Sequence, residues 1–207
     1  MSNYHIALFP GEIYHLYNRA VGKEKLFLSE ANYHYFLLKL KQHTSPVADV
    51  FAYALLPNHF HLVVRIKQEE QILQYFHDKK KKPFNPKENS LSDFIMEQFS
   101  NWANAYVKAF NKMYNRKGGL FIDYMKRSLM QTDSDFTSYV FYVHKNAVHH
   151  GLTKKIGDWP YDSYNSLISY QQTSLLREDV MEWFGSKERF IQFHQQPVAV
   201  KQIDIEL

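Results

Sequence analysis

The stretch LPNHFHLVVRI, from Leu56 to Ile66, decides the fold of this chain. Strand side chains alternate between the two faces of a sheet, so every second residue from Phe60 onward is apolar and points one way. His59 and His61 point the other way. The apolar set can form core without the histidines. Two imidazoles are therefore left side by side on the second face, where their ring nitrogens can converge on one atom.

The rest of the chain predicts a small α+β domain around this strand. Periodicity, caps and turn residues predict the following elements: a strand over 12–21, a helix capped by Ser29, hairpin strands over 48–56 and 59–67 joined at Pro57-Asn58, a helix from Ser90 to Gly118, and a strand from Leu120 to Met130. This is the split βαβ order of a ferredoxin-like fold with an antiparallel sheet.

Two further helical segments follow the fourth strand. DSDFTSYVFYVHKNAVHHG, 133–151, predicts a helix that begins at a cap on Asp133 or Ser134 and ends near Gly151. One more helix is predicted around REDVMEWFGSKERFIQFH, 177–194. We therefore expect one domain over 1–170 and a C-terminal helical extension over 171–207, packed on the same domain.

Composition narrows the class of partner and the class of site. The net charge of +4 favours a polyanionic partner. The complete absence of cysteine excludes disulfides, thiolate zinc sites and cysteine nucleophiles, and agrees with a cytoplasmic protein. The chain shows no signal-peptide pattern and no apolar run near the ~20 residues of a membrane span, so we expect no membrane partner.

A lysine-rich segment interrupts the chain before the long helix. HDKKKKPFNPKENS, 77–90, predicts a mobile surface loop. Its four consecutive lysines are either solvated or in contact with phosphates; they are Lys79, Lys80, Lys81 and Lys82.

The histidine pair supplies half of a metal site. Imidazole binds transition metals readily, although a His-x-His pair alone on a strand is more often an incidental surface pair or a hydrogen-bonded pair on a sheet. In the helix over 133–151, Tyr142 and Asn146 lie one turn apart on a polar face. If the apolar stripe of that helix packs on the sheet edge, a phenol and a carboxamide oxygen approach the histidines. Taken alone, Tyr142 is more typical of an ordinary aromatic residue on the surface of a helix.

These motifs resemble those of the REP-associated tyrosine transposases, relatives of the single-tyrosine HUH transposases. The match rests on six phrases in order: YHLYNRAVGKEKLF from Tyr14, LPNHFHLV from Leu56, AYVKAFNKMYNRKGGLF from Ala105, YMKRSL from Tyr124, YVHKNAVHHGL from Tyr142 and WPYDSY from Trp159. They cover about residues 10–170. The chain departs from the family at two places. Ala147 replaces the usual proline, and His149 and His150 replace the usual pair of a basic and a small residue.

The resemblance implies a specific chemistry. His59, His61 and Asn146 would hold a divalent ion, Mg²⁺ or Mn²⁺, and Tyr142 would attack single-stranded DNA beside a hairpin to form a 5′-phosphotyrosine. Tyr139, one turn earlier, is an alternative nucleophile, although the spacing to Asn146 favours Tyr142. No obligatory protein partner is implied, and the chain is expected to be a monomer or a homodimer.

Basic residues beside the sheet are candidates for phosphate contact. Arg19, Lys126 and Arg127 fall in basic positions that match the family, and each is also compatible with an ordinary solvated side chain. Two other classes of function stay open at this point. One is a structured DNA or RNA-binding module that does not cut, and the other is a structural zinc protein, which lacks cysteine and a fourth ligand.

Overall fold

The computed structural model describes residues 6–122 and 124–195, so residues 196–207 of the predicted extension lie outside it. The elements of the described part are β1 Ile13–Arg19, α1 Glu30–Thr44, β2 Ala48–Leu56, β3 His59–Ile66, α2 Glu69–Lys80, α3 Leu91–Met113, β4 Lys126–Leu129, α4 Asp133–His149, α5 Tyr164–Ile168, α6 Arg177–Phe184 and α7 Lys187–Gln195. No helix of this part is long and apolar enough to cross a membrane.

The four strands form one antiparallel sheet in the order β2-β3-β1-β4. The two central strands are β3 and β1, paired so that Leu62 lies opposite Leu16 and His61 opposite Tyr17. The hairpin turn is fixed from outside, since the backbone N–H of Ala20 donates to the carbonyl of Asn58 at 2.8 Å. The predicted α+β fold with a split βαβ order is confirmed.

The first core lies between the sheet and the layer formed by α1, α2 and α3. Phe60 and Leu62 of β3 pack there against Phe36 of α1 and Trp102 of α3. The indole N–H of Trp102 donates to the carbonyl of Phe36 at 3.1 Å, which satisfies the buried donor. The apolar face of β3 is therefore fully used by packing, as its alternation predicts.

The second core lies on the opposite face, under α4, α6 and α7. Phe136, Val140 and Val143 of α4 pack there with Val63 of β3 and with the inner residues of β2. The apolar stripe of α4 thus packs on the face of the sheet rather than on the sheet edge predicted from the sequence. Leu175, Val180, Phe184 and Phe190 carry the segment after residue 170 into the same core. A boundary at residue 170 stays a prediction.

Several element ends differ from the predictions for local reasons. The fourth strand spans Lys126–Leu129 rather than 120–130, because Tyr124 adopts a left-handed φ of 59°. The α4 helix, which carries Tyr142, is capped by Thr132 rather than by Asp133 or Ser134. The Thr132 hydroxyl accepts from the backbone N–H of Asp135. The single predicted helix over 177–194 is two helices, since Gly185 ends the first with a φ of 82°.

The lysine-rich segment is partly helical, contrary to the loop prediction. Residues 77–80 are the last turn of α2, and only the part from Lys81 onward is irregular. The ammonium group of Lys79 donates to the side chain of Gln98, and that of Lys80 lies 2.8 Å from a carboxylate oxygen of Glu97. The segment is thus tied to α3 by its first two lysines.

A buried chain of hydrogen bonds joins α4 to α7. His194 Nδ1 donates to the carbonyl of Phe190 at 2.8 Å, so its Nε2 must accept. His144 Nδ1 lies 2.8 Å from that Nε2 and donates to it, and His144 Nε2 accepts from the hydroxyl of Ser163 at 2.8 Å. Ser163 Oγ in turn accepts from the backbone N–H of Tyr53. Every donor in this series of hydrogen bonds has an acceptor while both imidazoles are neutral.

We expect acidification to destabilise the fold through His194. Burial lowers its pKa from 6.5 to about 4, so between these values the unfolded chain binds more protons than the folded chain. The stability that depends on neutral His194 is present above pH 6.5 and is lost as the pH falls toward 4. We expect a loss of roughly 3 kcal/mol by pH 4, to be measured by urea unfolding across this interval.

His194→Gln is the control, because it cannot titrate and should reduce the pH dependence, to which buried His15 and His59 still contribute. Burial raises the pKa of Asp162 to about 7, which has the opposite sign but is common to both proteins. The difference between the two curves therefore isolates His194. A difference that does not change with pH would contradict the assignment.

Candidate active site

The elements β1, β3 and α4 bring polar side chains together where α4 packs on the sheet. His59 and His61 of β3 face Tyr142 and Asn146 of α4, and His15 of β1 completes the group. The ring of His61 lies edge-on to the ring of Tyr142 with 5.5 Å between centroids, and His59 lies 5.2 Å from His61. His15, His59, His61 and Asn146 are all buried. The residues singled out from the sequence, namely His59, His61, Tyr142 and Asn146, are thus brought into one site.

His59 faces two amide oxygens with a single proton to share. Its Nδ1 lies 2.8 Å from Asn58 Oδ1, and its Nε2 lies 3.2 Å from Asn146 Oδ1. Burial lowers the pKa of His59 to about 4, so the ring is neutral at pH 7. When Nδ1–H donates to Asn58, the lone pairs of Nε2 and of Asn146 Oδ1 face each other. A turn of the amide or a cation between the two atoms removes that repulsion.

One ring nitrogen of His61 has no hydrogen-bond partner within the protein. Its Nδ1 lies 2.9 Å from Nε2 of His15, while its Nε2 is buried and has no hydrogen-bond partner. Burial holds the pKa of His61 well below 6.5 and lowers that of His15 to about 3, so both rings are neutral. If Nδ1 of His61 donates to His15, its Nε2 presents a free lone pair. Such an outer partner commonly orients a metal-binding imidazole.

These donors fit a divalent cation. Nε2 of His59 lies 3.2 Å from Oδ1 of Asn146, the ring of His61 lies 5.2 Å from that of His59, and Nε2 of His61 is an orphaned buried atom. Two imidazoles and one amide oxygen suit Mn²⁺ or Zn²⁺ better than Mg²⁺ by ligand type. Across residues 6–122 and 124–195, no group of three His, Cys, Asp or Glu side chains is arranged to hold a metal. The third ligand available here is a carboxamide.

The two tyrosines of α4 are in different surroundings. Tyr142 is half-buried with its phenol near the side chain of Asn146, whereas the phenol of Tyr139 lies near Ser128 of β4. Burial raises the pKa of both phenols, and the polar neighbour of each offsets part of the increase. Both rings lie near His15, and the ring of Tyr142 also contacts that of His61, a candidate metal ligand. The geometry therefore favours Tyr142 as the reactive phenol.

Comparison with known proteins gives one similar sequence. A protein of Haemophilus influenzae, provisionally named a REP-associated tyrosine transposase, is 23% identical over 120 residues. The match covers 56% of this chain and 59% of that protein's length. No family model matches the chain.

A solved structure has the same fold. It is described as a REP-associated tyrosine transposase bound to a REP hairpin, and it superposes with a TM-score of 0.53 at 15% identity. The superposition covers 82% of this chain and 87% of the other. The resemblance to the REP-associated tyrosine transposases is confirmed. The α+β fold with a four-stranded antiparallel sheet is confirmed with it.

Two of the predicted phosphate-contacting residues lie on the face of the site. Arg19 is exposed and lies directly opposite His59 in the pairing of β1 with β3. Lys126 lies opposite Tyr17, with its ammonium group 5.8 Å from the centre of that ring. The ring of Tyr17 stacks on His15, so Lys126 also belongs to the site face. Both residues stay predictions as DNA contacts.

The other predicted basic residues lie away from the site. Arg127 is paired opposite Leu16 and so faces α3, where it lines a cavity of about 480 Å³ with a buried Nε that has no partner. The α2 helix packs in the first core through Ile72 and Phe76, which places Lys79, Lys80, Lys81 and Lys82 with the helical layer on that side. The structure does not bring these five residues to the histidines.

Sequence reasoning missed two residues of the site. They are His15, which contacts His61, and Asn58, which contacts His59. His150, noted in the sequence as a departure from the family, has its ring 4.8 Å from that of His59. His15 was within reach, because strand alternation puts it on the same face as Arg19. Its role needed the pairing of β1 with β3, which a single sequence does not specify.

We expect the protein to bind Mn²⁺ without DNA, as followed by the loss of the electron paramagnetic resonance signal of free Mn²⁺. His61→Ala removes the orphaned ligand and should lower the affinity at least tenfold, and His15→Phe should lower it about tenfold through lost orientation. His34→Ala, an exposed histidine of α1, is the matched control and should change nothing. Wild-type affinity in His61→Ala would refute the metal assignment.

Proposed function

We propose that this protein is a metal-dependent single-stranded DNA endonuclease and strand transferase that acts on hairpin-containing DNA. The observation that carries the proposal is the position of the Tyr142 phenol, edge-on to His61 and near Asn146, beside an unpartnered imidazole nitrogen. The similar solved structure is described as bound to a REP hairpin, which supports hairpin DNA as the substrate class. The basic face around Arg19 agrees with a polyanion.

Tyr142 is the proposed nucleophile. Its oxygen attacks the scissile phosphorus as the phenolic proton is lost, and the bond from phosphorus to the 3′-oxygen breaks. The products are a 5′-phosphotyrosine and a 3′-oxygen that takes up a proton to become a hydroxyl. Burial raises the pKa of Tyr142, so the phenol carries its proton at pH 7 and needs help to react.

His59, His61 and Asn146 would hold the divalent ion, which when bound neutralises charge on the scissile phosphate and lowers the pKa of a nearby phenol. His15 fixes the ring of His61 through their 2.9 Å contact, and Asn58 fixes the ring of His59. The burial of both imidazoles keeps them neutral, so their lone pairs are available without prior deprotonation.

Strand transfer follows from the nature of the covalent bond. An aryl phosphodiester keeps the energy of the broken bond, because the phenolate is a good leaving group. A 3′-hydroxyl can therefore attack the 5′-phosphotyrosine and restore a DNA backbone, with release of Tyr142. The half-buried position of this residue limits competing attack by water.

A binding module that does not cut DNA is the second candidate. The basic site face and the exposed ring of Tyr124 would serve binding alone. Binding alone does not require a buried imidazole nitrogen without a partner, a feature that costs stability. The unsatisfied site therefore favours the enzyme.

Covalent capture of DNA tests the proposed nucleophile. Labelled single-stranded hairpin DNA, incubated with the protein and Mn²⁺, should yield a species that migrates with protein on a denaturing gel. Tyr142→Phe should lose this adduct completely, because the attacking oxygen is gone, while Tyr139→Phe should keep it.

An adduct that survives in Tyr142→Phe and is lost in Tyr139→Phe would move the chemistry to the other tyrosine. A wild-type protein that shifts the hairpin on a native gel but forms no adduct with any tested strand or metal would favour the binding module.

Arg19→Ala tests the orientation of the DNA on the site face. Loss of one phosphate contact should weaken hairpin binding and reduce the salt slope of log K by about 1. Lys80→Ala is the control, because its ammonium group is paired with Glu97 on the other side of the sheet. Fluorescence anisotropy across a salt series measures both. An unchanged slope in Arg19→Ala would show that the phosphates run elsewhere.

A further inference from the structure

The C-terminal segment contributes no side chain to the candidate active site among the described residues, yet it is bonded to the helix that carries Tyr142. His194 of α7 accepts from His144 of α4 at 2.8 Å, and both side chains are buried. The ring of His194 also lies 4.1 Å from that of Phe190, whose carbonyl holds its Nδ1–H. This contact joins the C-terminal extension to the middle of α4.

His144 is placed on α4 where it can set the direction of the reactive residues. At 100° per residue, His144 lies about 160° around the helix from Tyr142 and from Asn146, which flank it by two positions each. The apolar stripe through Val140 and Val143 lies between these two sides and rests on the sheet. One flank of α4 therefore faces the histidines of the sheet, and the opposite flank faces α7.

The apolar stripe alone leaves the rotation of α4 loosely defined. Side chains in such a stripe pack without direction, whereas a hydrogen bond has a preferred distance and angle. His144 supplies two directional bonds, to His194 on α7 and to Ser163, whose backbone N–H donates to the carbonyl of Tyr53 on β2. The two bonds tie the same imidazole to the extension and to the sheet.

The order Ser163, His144, His194 has the hydrogen-bond sequence of a hydrolytic triad, but it is not arranged as one. Ser163 is fully buried, and its oxygen already accepts from the backbone N–H of Tyr53 at 2.9 Å. No substrate carbonyl can approach it. Its complete internal pairing assigns the network a structural task rather than a reaction of its own.

We propose that the C-terminal extension acts as a positioning element for the nucleophile, with His194 and Ser163 holding His144 so that Tyr142 and Asn146 face His59 and His61. The inference rests on the proposed function, since it assigns the extension a part in forming the phosphotyrosine. His144, His194 and Ser163 touch neither DNA nor the reacting atoms in this arrangement. They act through α4.

The rate of adduct formation in variants of position 194 tests the proposal. His194→Leu removes the acceptor for His144 and should lower the rate by roughly 10- to 100-fold, because a displacement of about 1 Å at the reacting group costs that much. Hairpin affinity should stay unchanged, since Arg19 and the sheet are untouched. His194→Gln restores an acceptor oxygen and should recover most of the rate.

Phe193→Leu is the matched control for general loosening of α7. Phe193 packs on Phe141 of α4 with 5.7 Å between ring centroids but makes no hydrogen bond to His144. This variant should lower the unfolding temperature and leave the adduct rate within about threefold, so stability and positioning separate. Mn²⁺ affinity gives a readout that needs no DNA, and it should fall in His194→Leu as Asn146 loses its place.

The outcomes distinguish the inference from the function on which it rests. If the wild-type protein forms no adduct, the proposed function fails, and the Mn²⁺ affinity of His194→Leu still judges the positioning of Asn146. If the wild-type protein forms the adduct and folded His194→Leu forms it at the same rate, the positioning role is overturned. Equal losses in His194→Leu, His194→Gln and Phe193→Leu would also overturn it, because general destabilisation would then explain them.

Discussion

The antiparallel register of β1 against β3 is the constraint on which the site depends. Because Tyr17 lies opposite His61 and Arg19 opposite His59, the two central strands place all their imidazoles and the basic residue on one face. A slip of one residue would send each of these side chains into the aromatic core on the other face. The bond from Ala20 N–H to the carbonyl of Asn58 anchors the hairpin turn to β1 and so helps to hold the register.

The buried histidines on the two flanks of α4 differ in whether their ring nitrogens have hydrogen-bond partners. Beside Tyr142, burial keeps His15, His59 and His61 neutral and leaves Nδ1 of His15 and Nε2 of His61 without partners. On the other flank, burial keeps His144 and His194 neutral, and each of their nitrogens has a partner. Internal pairing stabilises the second group, whereas the first group has a polar atom left for something outside the chain. The contrast separates a candidate ligand site from a structural network that uses the same residue type.

The fold builds the site from segments far apart in the sequence. The central strands supply imidazoles, α4 supplies the phenol and the amide, and the extension holds α4 from behind. The WPYDSY segment has two tasks, since the Trp159 indole N–H bonds the carbonyl of Leu55 on the edge strand while Ser163 bonds His144. Side chains that never reach the candidate site thus determine how its members face one another.

The sequence by itself determined the alternation of β3, the helical stripe of α4 and the four-residue spacing of Tyr142 and Asn146, because each depends on local periodicity. The family motifs added the roles proposed for these residues. Neither source specified that Arg127 faces away from the histidines, that Lys79 and Lys80 end a helix, or that His15 and His194 hold the residues beside them. Those facts depend on strand pairing and on packing between distant segments, so only the tertiary structure decided them.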